Sequence, residues 1–199
     1  MTDAQATPAK WNGRWKLLAV LAVCAAPLIF SYLTYYVIKP TGRTNYGTLL
    51  DPRAHPIPAL GTTALDGKPD SLAAYKGKWL LLQAAPGDCP QACKDQLVAM
   101  RQLRLMQGKE MERVERVWLI TDAAPLDITL MKVVDGTRFL RADAAAVAKW
   151  LPVEQGSVLA DHMYLIDPLG NLMMRFPKNA EPAKVKKDIG KLLKASAIG

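Results

Sequence analysis

Two cysteines four positions apart, Cys89 and Cys93, and one histidine far downstream, His162, are the residues here whose types can carry chemistry. Paired thiols at that spacing can close a disulfide, exchange it with another dithiol, or hold a soft metal ion such as Cu(I) or zinc as thiolates. They lie in Gly87-Asp88-Cys89-Pro90-Gln91-Ala92-Cys93, after an apolar run from Trp79 to Ala85 and a break at Pro86-Gly87. The run predicts a buried strand, and the residues from Pro90 onward predict a helix with proline in its first turn. Cys89 then stands at the positive end of the helix dipole, where a thiolate is stabilised. Cys93 follows one helical turn later on the same face. A bond across so short a loop removes little unfolded-state entropy, so the pair reads as functional rather than as a staple.

The elements that must position these residues follow in order. Cys93, Leu97, Met100, Leu103 and Met106 continue the helix, with its methionines read as core packing, and Gly108 ends it. Val114 to Thr121 predicts a second buried strand, Leu126 to Val134 an ambiguous, helix-leaning segment, and Thr137 to Leu140 a short strand. Ala142 to Leu151 is a good helix former. Met163-Tyr164-Leu165-Ile166, the turn Asp167-Pro168-Leu169-Gly170-Asn171 and Leu172 to Phe176 form a hairpin, and Pro182 to Ala195 a closing helix. Ahead of all these, Leu60 to Leu65 and Ser71-Leu72 flank a turn at Asp66-Gly67-Lys68 and predict a small hairpin. The order strand, helix, strand, helix, hairpin, helix, with cysteines after the first central strand, is that of a thioredoxin-like α/β domain over 59–199. Dithiol reductases of that type keep two residues between their cysteines; this chain has three. They also keep a cis-proline at the entry to the hairpin strand, where this chain has Ala160-Asp161-His162-Met163. Both departures favour a metal-holding role, with His162 as a third ligand. His55, flanked by Pro56, reads as solvated.

The remaining sequence bounds where such a domain works. Its 199 residues suffice for one domain with appendages, and three cysteines do not make a disulfide scaffold. From Leu17 to Ile38 there is no charge, enough to span a bilayer core of about 30 Å. Trp11 and Trp15 at one end and Tyr32, Tyr35 and Tyr36 at the other fit an aromatic belt, Pro27 is a candidate kink, and Cys24 reads as a buried, inert thiol. Residues 1–16 form a short tail, expected on the cytoplasmic side, and 39–58 a linker; a bacterial inner membrane with the domain facing the periplasm is the expected setting. Net charge is +8, from 26 Lys and Arg against 18 Asp and Glu. Much of the excess lies in the last helix and reads as a solvated face. No basic stripe is interleaved with aromatics, which excludes a nucleic-acid groove.

Gly-Asp-Cys-Pro-Gln-Ala-Cys on a strand-to-helix turn, followed by Asp-His-Met-Tyr-Leu-Ile-Asp-Pro-Leu-Gly, resembles the Sco (SenC) family of membrane-anchored copper proteins. The resemblance covers Leu60 to Phe176 and the single N-terminal anchor. It implies a copper chaperone serving the dinuclear copper A centre of cytochrome c oxidase, with the copper-bearing subunit as partner and Cys89, Cys93 and His162 as copper ligands. The alternative reading is a thiol–disulfide reductase working through Cys89 and Cys93 alone, without His162. Gln91 stands where the family has an acid, and Ala85 to Asp88 replace its usual aromatic, glycine and threonine residues.

Overall fold

The computed structural model describes residues 13–38 and 45–198, in two separate compact units. The first is a helix, α1 (Gly13–Leu33), continued by a π-helical turn, Thr34–Ile38. It is long and apolar enough to cross a membrane. It begins four residues before Leu17, because Gly13 to Lys16 continue the same helical turn pattern. Cys24 is exposed rather than buried, on a helix none of whose residues is buried. Trp11 and the start of the expected linker lie outside the described residues.

The second unit, 45–198, is a seven-stranded mixed sheet in the order β1-β7-β6-β3-β4-β5-β2. Its strands are β1 (Thr48–Leu49), β2 (Thr63–Ala64), β3 (Trp79–Ala85), β4 (Val114–Ile120), β5 (Thr137–Arg141), β6 (Met163–Ile166) and β7 (Leu172–Arg175). The apolar β3 is buried at every position because it lies mid-sheet, parallel to β4 and antiparallel to β6. Strands with both faces covered need no polar alternation, which is why Trp79 to Ala85 reads as a continuous apolar run. The fold is thioredoxin-like, as the element order predicts.

Alternation along the strands divides the core in two. One face takes Leu81, Ala85, Trp118, Met163 and Leu165 under α2 (Gln91–Leu105), α3 (Ile128–Val133) and α5 (Pro182–Ala195). The other takes Leu80, Leu82, Tyr164 and Ile166 under α4 (Ala144–Trp150). Asp127 and Asp143 cap α3 and α4 by accepting hydrogen bonds from first-turn N–H groups, which fixes where each helix starts.

Four local expectations change. Part of the segment read as linker is edge strand: Thr48 and Leu49 pair with Arg175 and Met174 of β7. His55 is half-buried there, and its carbonyl accepts from Leu172 N–H. The predicted hairpin reduces to one bridge, Thr63 with Pro69; β2 pairs instead with β5, and Leu72–Tyr75 is a 3-10 turn. Met106 is 43% exposed because α2 stops at Leu105, leaving Cys93, Leu97, Met100 and Leu103 as its buried stripe.

Candidate functional site

Cys89 and Cys93 are joined by a disulfide, with Cα atoms 5.3 Å apart, in the turn between β3 and α2. Pro90 is the residue preceding the first helical position, one place earlier than predicted, and no side chain caps the helix. Cys93 N–H and Lys94 N–H donate to the Pro90 carbonyl, so Cys93 sits in the first turn while Cys89 lies just outside it. Cys89 has φ +29°, uncommon for a residue with a side chain, and its N–H donates to the Pro86 carbonyl. Such a turn folds the first cysteine back over the second. Both are nearly sealed, at 1% and 2% exposure.

A loop after β4 closes over this turn. Gly87 N–H donates to Asp122 Oδ1 at 2.8 Å, and a Cβ on Gly87 would lie 2.8 Å from the Ala124 carbonyl oxygen. Only glycine allows that approach. The Arg141 guanidinium holds the carbonyls of Asp122 and Ala124, and Lys94 on α2 pairs with Asp127 at 3.3 Å. Backbone N–H groups of Leu130 and Thr129, and then Lys94, hold the Asp127 carboxyl below its usual range.

Two residues beside the disulfide escape a motif search. Gln83 interrupts an otherwise apolar strand and is fully buried; its Nε2 reaches the Cys93 carbonyl at 3.5 Å, and its Oε1 has no hydrogen-bond partner. One polar residue within W-L-L-L-Q-A-A is the sequence signal for it. Met163, at the entry to β6, packs in the same cluster as both cysteines.

His162 precedes Met163 with an extended backbone, so its ring shares the face of Tyr164, 6.1 Å away, and not that of Met163. It is fully buried. Nδ1–H donates to the Phe176 carbonyl at 2.9 Å, and Nε2 lies 2.6 Å from the Ser157 hydroxyl oxygen, which itself donates to the Glu154 carbonyl. Both ring nitrogens are thus engaged, and no group of three His, Cys, Asp or Glu is placed to hold a metal among the described residues. In this oxidised state the two sulfurs offer no thiolate, and His162 is engaged through both ring nitrogens. What the structure brings together is the sulfur pair; His162 instead ties β6 to the chain beyond β7. The preceding 3-10 turn, Leu159–Asp161, is fastened to α2 by Gln96 Nε2, which donates to the Asp161 carbonyl at 2.8 Å. An apolar groove of about 580 Å³, lined by Pro86, Pro90, Val153, Val158 and Ala160, opens beside the cysteine turn.

Against known proteins, residues 79–196 match the family model described as "Transmembrane-like, thioredoxin-like, C-terminal domain", and residues 8–37 match "Transmembrane-like, N-terminal domain". The chain belongs to this transmembrane-like, thioredoxin-like family. No curated protein matches the sequence. Solved structures similar to this family member include yeast Sco1 with copper bound, at 17% identity and TM-score 0.55, covering 70% of this chain and 91% of that one. BsSco, a Sco-family cytochrome c oxidase assembly protein in which a disulfide switch was identified, matches at 17% and 0.53, over 73% and 98%. A candidate protein disulfide isomerase from Bacteroides thetaiotaomicron matches at 19% and 0.55, over 76% and 95%. These are likenesses of fold, and they span copper binding and thiol exchange alike.

Proposed function

We propose that this protein is a membrane-anchored thiol–disulfide protein of Sco-like type, whose Cys89–Cys93 pair reduces a cysteine pair on an acceptor during copper-site assembly in cytochrome c oxidase. The observation that carries this is the disulfide itself, at a strand-to-helix turn of a thioredoxin-like domain. In the reduced protein, one thiolate, Cys89 by its place ahead of the helix dipole, attacks a sulfur of the acceptor disulfide and expels the other as thiolate. The Cys93 thiolate then attacks the Cys89 sulfur of the mixed disulfide and releases the second acceptor sulfur. Two electrons pass to the acceptor, the bond between Cys89 and Cys93 forms, and an external dithiol restores the starting state. The apolar groove beside Pro86 and Pro90 offers a seat for an extended acceptor segment. The N-terminal helix tethers the domain at the membrane that holds the acceptor, a bacterial inner membrane with the domain in the periplasm. Cys93→Ser is expected to trap a mixed disulfide with an oxidised two-cysteine peptide through Cys89, and Cys89→Ser to trap none. Equal trapping by both variants would contradict the assigned order.

A second reading is copper delivery by the same pair. It is favoured by the likeness to copper-bound yeast Sco1 and by the softness of two adjacent thiolates toward Cu(I). His162 would join as third ligand through Nε2 by giving up its contact with Ser157, its Nδ1–H staying on the Phe176 carbonyl. Anaerobic Cu(I) titration of the reduced full chain against a competing chelator tests it. Tight binding that weakens in His162→Ala supports a three-ligand copper role, and unchanged affinity removes histidine from it.

A further inference from the structure

The second unit starts on its own last helix. Tyr46 N–H and Gly47 N–H both donate to Asp188 Oδ2 on α5, at 2.6 and 2.9 Å, and that carboxylate is 2% exposed. Glu181 N–H donates to the Tyr46 hydroxyl at 3.1 Å, and the Lys184 ammonium lies 5.3 Å above the Tyr46 ring. Only residues 39 to 45 separate this mooring at Tyr46 from Ile38, the end of the apolar helix. Fully extended, the steps from Ile38 to Tyr46 span at most about 29 Å. That covalent reach is an upper bound on the distance from the apolar helix at which this mooring can stand.

The same helix carries the strongest charge in the domain. Lys184, Lys186, Lys187 and Lys194 are exposed and Lys191 is half-exposed. Its one carboxylate, Asp188, is engaged with the backbone of Tyr46 and Gly47 and with Lys191 at 3.6 Å, and Glu181 just ahead of it pairs with Lys184. Lys186, Lys187 and Lys194 rim an open groove of about 690 Å³ against the chain at 106–110, floored by Met106 and Leu193. The acid on that rim, Glu110, is bound to Arg113 at 2.8 Å.

We propose that the exposed face of α5 is a docking surface for anionic phospholipid headgroups of the leaflet the chain is anchored beside. This rests on the anchor reading of the N-terminal helix and is independent of the thiol chemistry. Lysines are compact, strongly hydrated charges, depleted at protein–protein interfaces but effective against an anionic membrane surface. Each one near that surface raises partitioning by about fivefold. Docking would hold the domain in one attitude over the bilayer.

The test uses the full chain in nanodiscs of phosphatidylcholine alone or of phosphatidylcholine mixed with phosphatidylglycerol. Amine acetylation is read at each lysine by mass spectrometry. Labelling of Lys184, Lys186, Lys187 and Lys194 is expected to fall several-fold in the anionic discs and to recover in high salt. Lys132 and Lys149, exposed on α3 and α4, serve as controls and keep their labelling. In the triple variant Lys186→Gln, Lys187→Gln, Lys194→Gln, Lys184 is expected to label equally in both discs. Equal labelling of the unaltered protein in the two discs overturns the proposal. Protection that appears only when an acidic protein is added to neutral discs overturns it as well. Loss of the chain from the discs on alkaline washing would instead show that the anchor reading fails.

Discussion

Replacing Gln83 by leucine should stabilise the oxidised protein, although it alters a residue touching the disulfide. The Gln83 amide is fully buried, its one contact to the Cys93 carbonyl is long at 3.5 Å, and its Oε1 has no partner. A buried amide with poor compensation costs about 1–3 kcal/mol in mutational terms. Leucine is close in volume, and position 83 shares a strand face with Leu81 and pairs across the sheet with Met163, both in the cluster that holds the cysteines. A gain of about 1–2 kcal/mol is expected for the oxidised form. At a urea slope of about 2 kcal/mol/M, this moves the unfolding midpoint up by roughly 0.5–1 M. The reduced form should gain less, because reduction creates a thiol donor on the residue that the amide already touches. If that contact recovers about 1 kcal/mol in the wild type, the variant's disulfide becomes harder to reduce by about 20 mV. Urea unfolding of both redox forms, with thiol trapping in glutathione buffers, gives all these numbers. Destabilisation of the oxidised variant by 1 kcal/mol or more, taking ~1 kcal/mol as the scale of one hydrogen bond, would refute the reading of Gln83 as a poorly satisfied amide.

Gly87→Ala pushes a methyl against the Ala124 carbonyl and Leu126, so the cover over the disulfide must lift, at a cost of about 1–3 kcal/mol. Reduction of the buried disulfide by dithiothreitol is expected to speed up several-fold; an unchanged rate would mean the loop does not limit access. Asp188→Ala leaves the N–H groups of Tyr46 and Gly47 without their acceptor, and about 2 kcal/mol of local stability should go with it. Amide exchange at 46–50 should then rise selectively, and exchange that stays flat would show the mooring to be dispensable. The Asp161 carboxyl is held below its usual range by the Val158 N–H and by Lys178. Its folded value lies below the unfolded one of about 3.9, so its contribution is complete above that pH and is lost as pH falls through the folded value. NMR signals of 158–162 should shift below pH ~4 in the wild type and stay put in Asp161→Asn; identical titrations would place the effect elsewhere.

The central strand, the helix that follows it and the closing hairpin were legible because burial on both faces leaves an unmistakable apolar run, and 3.6-residue spacing marks a packed helix. The cysteine pair was legible by type and spacing alone. The orientation of His162 was not, because it depends on strand parity. Met163 and Tyr164 both belong in the core, and only the observed register assigns Met163 to the cysteine face and hence His162 to the opposite one. The β1 edge was hidden for a related reason: Thr48 and Leu49 form a two-residue strand whose partner lies more than 120 residues away. Gly87 and Gln83 matter through contacts with the loop at 122–126 and with Cys93, which no local pattern announces.

The most direct test of the central claim is the reduction midpoint of Cys89–Cys93 in the chain with its N-terminal helix, read by thiol trapping across a series of redox buffers. A working pair is expected to titrate reversibly as a two-electron couple, above about −300 mV, and to exchange with an oxidised two-cysteine acceptor. A midpoint well below about −300 mV, with no exchange, would mark the bond as a structural staple and contradict the account.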